Sequence, residues 1–344
     1  MSRRETMLAM ATALMTFGLL GCGSTELEEQ DLEQSTQALY IWMPKWAPFL
    51  SVDLVGHGLN GVSLNGDTLE GHVVAGVSLN DVLMPKGATK DLKLKNTLFK
   101  GSHLNKNGKK LDKQAAIGAE FTGWLDDGSP IQIRIEDAYP ADEFGGSWLW
   151  YVVSFASEAG WQPLCGVDAL EQPIPAVPLN GLWNYEQGVP DGGSWSVNDD
   201  SFTFACMGFA LAKCVTLGYP PWTQGKVCDD EGNGNNCVKT TLAAHHQACV
   251  RALRADYCGD GTSYTVDGVA LNLYDGIGIR LDSEDWAIEA EWDDAGARCV
   301  VSERLPDVFP PCIDSLAQSA CGNPEHFETG NLLVSEVPDS ESDE

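Results

Sequence analysis

The first regularity along the chain fits neither a helix nor a strand. Apolar residues return every five positions at Phe49, Leu54, Leu59, Leu64, Leu69, Val74, Leu79, Met84, Leu94, Phe99 and Leu104, with only Thr89 interrupting the series. Gly61, Gly66, Gly71 and Gly76 each follow two residues behind an apolar partner, and Gly-Val-Ser-Leu-Asn occurs at both 61–65 and 76–80. A short fixed period marks a solenoid, in which each unit sends its central apolar residue inward. Residues 45–115 are therefore expected to form a short β-solenoid of about three coils, near the minimum at which stacked repeats bury a continuous core. A Gly-rich β-meander is the alternative reading of the same spacing.

From Glu120 onward the pattern changes to shorter, ordinary periods. Phe121 to Leu125, the turn Asp126-Asp127-Gly128 and the alternation Ile131-Gln132-Ile133-Arg134-Ile135 predict a β-hairpin. Trp148 to Phe155 is apolar on both faces and predicts a buried strand, and Trp161 to Asn184 reads as a Pro-rich loop around Cys165. Two helices are expected next. The first runs from about Phe202 to Leu217, after Asp200 or Ser201 as cap and before Gly218, Pro220 and Pro221; the second runs from about Leu242 to Ala255, capped by Thr240 or Thr241. Val269 to Leu273 and Trp286 to Trp292 return to strand patterns. The expected class is α+β: a short β-solenoid-like repeat, then a body over 116–325 with two central helices and antiparallel strands. Residues 22–44 and 326–344 are acidic, lack periodicity and are expected to be a disordered tether and tail.

The two ends of the chain differ sharply in character. Arg3 and Arg4 precede an apolar run from Met7 to Leu20, which ends in Leu19-Leu20-Gly21-Cys22. A charged start, a short apolar core and small residues before a cut site make an export signal over 1–21. The run is too short for a membrane-spanning helix, which needs roughly 20 residues. Its last four residues resemble the lipobox of bacterial lipoproteins, which implies acylation of Cys22 as the first mature residue. The membrane is then a partner through the lipid. An ordinary secretory signal that contains a cysteine is the alternative. Gly23 rather than Asp follows, which in a Gram-negative host fits outer-membrane sorting.

Charge narrows the partners further. The chain carries −29, and loss of Arg3, Arg4 and Glu5 with the leader leaves −30 (−29 minus +1). Such a surface repels nucleic acid, so no nucleic-acid partner is expected. Between Met84 and Lys113, however, nine lysines face only Asp91 and Asp112. This strip reads as a solvated basic face, or as one that docks on an acidic body or an acidic surface polymer.

Setting Cys22 aside leaves Cys165, Cys206, Cys214, Cys228, Cys237, Cys249, Cys258, Cys299, Cys312 and Cys321. An even set in an exported chain is a disulfide framework. Cys206 and Cys214, placed on one expected helix, lie about 12 Å apart, beyond disulfide reach, and must take different partners. Cys228 and Cys237 bracket a Gly/Asn/Asp loop and suit each other. No Cys-x-x-Cys occurs, and the acidic loop 229–235 lacks EF-hand spacing, so neither a metal nor another cofactor is expected.

The stretch Arg254-Ala255-Asp256-Tyr257-Cys258-Gly259-Asp260-Gly261 resembles the signature of the ADYC domain family. Pro163-Leu164-Cys165-Gly166, Phe202 to Cys214, Gly218-Tyr219-Pro220, Ala248-Cys249, Asp267-Gly268 and Glu289-Ala290-Glu291-Trp292 extend the likeness over about Trp148 to Cys312. The resemblance implies an exported, cysteine-rich bacterial protein with no established activity. The five-residue repeat resembles pentapeptide-repeat coils, which implies a spacer or scaffold.

Three chemistries fit individual residues. Cys206, expected near a helix start, resembles the nucleophile of transglutaminase-like hydrolases, with His246 as base and Asp256 as orienter. An even cysteine set argues instead for Cys206 in a disulfide. His245 or His246 with Cys249 offers two metal ligands from one helix face, short of a site. Glu289 and Glu291 alternate on one strand about 7 Å apart, inside the window for an inverting glycosidase pair. The same alternation is how a strand presents its wet side. The expected function is a non-enzymatic, membrane-anchored surface protein that binds a surface ligand or an envelope component. An exported hydrolase is the rival.

Overall fold

The structure is a computed structural model that describes residues 74–80, 82–84, 93–94, 97–106, 109–141, 148–168, 170–184, 193–197, 200–228, 237–266, 269–316 and 320–338. The expected leader, tether and repeat positions before Val74, Cys22 among them, lie outside these residues.

In chain order the first strands are β1 (Val74–Ser78), β2 (Val82–Leu83), β3 (Lys93–Leu94), β4 (Thr97–Lys100), β5 (His103–Lys106) and β6 (Lys109–Lys110), followed by helix α1 (Lys113–Ala116). Then come β7 (Glu120–Leu125), β8 (Pro130–Pro140), β9 (Leu149–Ser157), β10 (Gly160–Pro163), β11 (Ala176–Asn180), β12 (Leu182–Trp183), β13 (Trp195–Ser196) and β14 (Ser201–Cys206). Helix α2 (Ala210–Thr216), the hairpin β15 (Gln224–Cys228) and β16 (Cys237–Thr241), and helix α3 (Ala243–Arg254) follow. Last are β17 (Asn272–Asp275), β18 (Ala287–Asp293), β19 (Gly296–Val300), the short helix α4 (Ile313–Leu316) and β20 (Leu333–Val337).

Six of these strands close into an antiparallel barrel. Their order is β1-β14-β11-β9-β8-β7, and β7 pairs back onto β1 with Gly123 opposite Val77. Strand alternation decides what fills it. Leu149, Tyr151, Val153 and Phe155 of β9, Phe202 and Phe204 of β14, and Ile131, Ile133 and Ile135 of β8 share one core. The small sheet β4-β5-β6 joins that core through Phe99 and Leu104, with the Phe99 ring 4.7 Å from that of Phe202. Its loop is fastened too: Ser102 Oγ accepts from the Leu149 amide (2.7 Å), and Tyr151 donates to the Ser102 carbonyl (2.8 Å).

On β9, β11 and β14 the outward residues are buried as well. Trp150, Val177, Leu179 and Ala205 pack in a second core with α2 and α3, and Ala290, Trp292, Val300 and Leu333 join it from a four-stranded sheet ordered β17-β20-β18-β19. The helix pair thus carries barrel residues and sheet residues in one apolar layer. Strands far outweigh helices in this fold.

The expected α+β class and its solenoid are therefore corrected to a mostly-β fold around a closed barrel. The period-five positions Val74, Leu79, Met84, Phe99 and Leu104 are all buried in the first core, yet they sit on antiparallel strands and their turns. Gly76 does not turn a coil corner. A Cβ there would lie 2.6 Å from the Trp124 ring, so the glycine lets that indole cross the strand. The first expected helix is corrected as well: Ser201–Cys206 is barrel strand β14, and only Ala210–Thr216 is helical. A strand covered on both faces is an unbroken apolar run, which has no period to tell it from a buried helix. Within the expected loop 161–184 lie β10 and β11. In the expected disordered tail, Leu333–Val337 forms β20 between β17 and β18, so the folded body runs past residue 325.

Candidate functional site

Four disulfides join described side chains. They are Cys165–Cys206, Cys214–Cys249, Cys258–Cys312 and Cys299–Cys321, with Cα separations of 5.6, 5.8, 5.6 and 5.7 Å. Those separations fit ordinary bridge geometry. Cys228 and Cys237 face each other in the register of β15 and β16, though their side chains lie outside the described ones. Disulfides of this number fit an oxidising compartment. Among the described residues, no helix is long and apolar enough to cross a membrane.

Cys206, the suggested nucleophile, ends barrel strand β14 and is bonded to Cys165, so no thiolate is available there. His246 lies on α3, fully buried, and donates Nε2–H to the Leu211 carbonyl of α2 (2.9 Å). Burial depresses its pKa to about 4, outweighing the carbonyl bond, so the ring is neutral. Asp256 bonds Arg251 and accepts from the Gly261 amide (3.0 Å). Burial raises its pKa, and the Arg251 charge offsets only part of that rise. Among the described residues, no hydrogen bond joins Cys206, His246 and Asp256. Cys249 is spent on Cys214, so it does not ligate a metal with His245 or His246.

Glu289 and Glu291 are both buried, not on a wet face. Irregular pairing at Ile288/Ala290 and at Glu291/Trp292 breaks the simple alternation of β18. Glu289 accepts from Arg304 through both oxygens (Nε 3.0 Å, Nη2 2.7 Å), from Tyr257 (2.6 Å) and from Ser335 (2.7 Å). Glu291 accepts from the Gly322 amide (2.6 Å), from His326 Nδ1–H (2.8 Å) and from Asn331. It also lies beside the Cys299–Cys321 bridge, whose sulfurs are spent on each other. Glu289 has both oxygens doubly engaged and Glu291 has three bonds on its two oxygens, so these buried carboxylates are spent on structural partners rather than poised as an acid/base pair.

A dense polar arrangement lies at the end of α3, and it is built from the signature residues. Arg254 closes the helix, and Ala255 turns left-handed (φ 50°), which stops it. Asp256 returns to Arg251 one turn back. The Tyr257 hydroxyl donates to Glu289 and accepts from the Arg304 amide (2.8 Å). Burial, then the Glu289 charge, pushes that phenol far above its ordinary range, so it stays protonated. Arg304 completes the knot by donating to the Ala252 and Leu253 carbonyls (2.7 and 3.1 Å) at the helix end, where Ala252 also accepts from the Ala255 amide (3.1 Å). Cys258 then ties the segment to Cys312. At Gly259 (φ +66°) a Cβ would fall 1.5 Å from the Ala295 carbonyl, so only glycine fits. Arg304 and Ser335 were not singled out from the sequence. Each is far from Glu289 along the chain, and no local spacing announces them.

A second polar cluster lies at the start of α3. Tyr219 donates to Asp275 Oδ2 (2.6 Å), which also accepts from the Arg280 amide (2.7 Å). His245 stacks on Tyr219 at 6.1 Å, its pKa lowered by burial against the raising effect of Asp275. Every member holds a turn or a packing contact.

A model of the ADYC domain matches residues 113–306. That span takes in five of the six barrel strands, both central helices and the signature, and leaves out β1 and β20. Comparison with curated proteins and with solved structures returns no match.

Proposed function

With the premise that this chain belongs to the ADYC domain family, we infer that it is an exported lipoprotein, acylated at Cys22, whose stapled body binds or supports an envelope component without catalysing a reaction. The observation that carries this reading is the fate of the reactive groups. Cys206 is in a disulfide, and His246, Asp256, Glu289 and Glu291 are buried and bonded to structural partners. The family's signature tetrapeptide, Ala255 to Cys258, serves as a helix stop and strut. The anchor itself rests on the Leu-Leu-Gly-Cys leader.

The test has two arms. In a bacterial host that processes lipoproteins, the wild-type chain is expected in the membrane fraction with a diacylglycerol-sized mass on its N-terminal peptide. Cys22→Ala is expected to lose that mass. Recovery of an unacylated wild-type chain beginning elsewhere rules the anchor out. In the second arm, thiols are counted on the denatured, unreduced mature protein. No free thiol is expected, whereas a labelled Cys206 would restore the hydrolase as the better reading.

A further inference from the structure

Positive charge in this acidic chain is gathered in one place. Residues 84–113 hold nine lysines and two acids, a local +7 in a chain of −29, so the remainder carries −36 (−29 minus +7). The fold sets much of that charge on one small sheet. Lys100 is in β4, Lys106 in β5, Lys109 and Lys110 form β6, and Lys113 opens α1. Lys106 and Lys109 are register partners across one hairpin, and Lys100 and His103 across the other. Like charges directly opposite one another, as Lys106 and Lys109 are, destabilise a sheet; His103 is no second cation opposite Lys100, because burial and then the Lys110 charge lower its pKa. Lys109, Lys110 and Lys113 are exposed, and among the described residues none of them is in an ion pair. Asp112, the neighbouring acid, is occupied as the α1 cap, accepting from the Ala115 amide (2.9 Å). The sheet is a fixed platform, because Phe99 and Leu104 are locked into the barrel core.

We propose that the β4-β5-β6 sheet is the docking face for an extended polyanion, a polymer carrying carboxylate, sulfate or phosphate groups. This deepens the function inferred above by naming the chemistry of the bound component. A thin, extended polymer can reach the lysines of the sheet without laying a second acidic body against this one. A second copy of this chain would instead press a −29 body against another.

The full-length chain in neutral detergent is titrated with labelled polygalacturonate, dextran sulfate and polyphosphate, with neutral dextran as control. At least one charged polymer is expected to bind at about 50 mM salt, with log affinity falling linearly in log salt. The polymer that binds most tightly identifies the anionic group. Lys109→Glu with Lys110→Glu is expected to weaken binding about tenfold or more and to lower the salt slope by about 1 per lysine. The unfolding midpoint should not change, since both side chains are exposed. If charge reversal upsets folding, Lys109→Gln with Lys110→Gln gives the same, smaller effect. Failure of all three polymers to bind, equal binding of neutral dextran, or undiminished binding by the variants overturns the proposal. Self-association that salt and the charge-reversed pair abolish also overturns it, because the occupant is then a second copy. None of these outcomes depends on Cys22 or the thiol count, so failure here leaves the anchored reading standing.

Discussion

The Tyr257 hydroxyl holds two partners, donating to Glu289 and accepting from the Arg304 amide, both away from water. Tyr257→Phe keeps the ring on Trp292, with centroids 5.4 Å apart, and removes only the oxygen. The cost should be about 1–3 kcal/mol, the penalty for a buried donor left unpaired. Glu289→Gln should cost more, about 3–5 kcal/mol, because the Arg304 guanidinium stays buried without its counter-charge. Urea unfolding at neutral pH measures both, and a Tyr257→Phe variant as stable as the parent would discredit the strut. His246 gives a pH signature at the same scale. Its folded pKa, about 4, lies below the ordinary 6.5, so the unfolded chain binds the extra proton first. Stability from this group is complete above pH 6.5 and falls as pH drops towards 4, by about 3 kcal/mol in all. His246→Gln should flatten that limb of the stability profile.

Among the elements, Glu336 of β20 works with the opposite sign. It and Asp282 both accept from the Asn272 amide group (2.8 and 2.9 Å), which brings two carboxyls onto one donor. Burial raises the Glu336 pKa; Asn272 and Tyr274 lower it and Asp282 raises it again. The folded state therefore holds this proton longer than the unfolded chain does. Its contribution is present at low pH and is lost as pH rises through the folded pKa. Glu336→Gln should make stability less sensitive to pH on that alkaline side, while His246→Gln acts on the acid side; unfolding both variants across pH separates them. Glu336 could not be read from the sequence, because β20 itself was hidden in an acidic tail. The hairpin of β7 and β8 was legible, since one wet face gives Ile131, Ile133 and Ile135 a clean period of two. Strand β14 was not, because Ala205 packs outward into the second core while Phe204 packs into the first. At Val74, Leu79, Met84, Phe99 and Leu104 the five-residue spacing found buried positions and assigned them the wrong geometry. The candidate site fared in the same way: the signature residues were visible as a pattern, and their structural role depended on Arg304 and Ser335, distant in the chain.

Across the whole molecule, covalent and hydrogen-bonded closure are unevenly divided. The barrel is continuous in hydrogen bonds around its circumference and has no free edge to open. One described disulfide, Cys165–Cys206, belongs to it, whereas Cys214–Cys249, Cys258–Cys312 and Cys299–Cys321 all lie in the helix pair, the outer sheet and their connections. These three close loops of 35, 54 and 22 residues. Each contributes about 3–4 kcal/mol in the chain-entropy account. The outer layers carry more of their order in cross-links, so a reductant should loosen them first. Hydrogen exchange under mild dithiol treatment should show α3, β18 and β20 losing protection while β8 and β9 keep theirs. Simultaneous loss in both regions would mean that the second core binds barrel and outer sheet into one cooperative unit. The order of loss also bears on the polyanion face. Because β4-β5-β6 is held by the barrel core, polymer binding should survive a reductant dose that already unravels the signature knot.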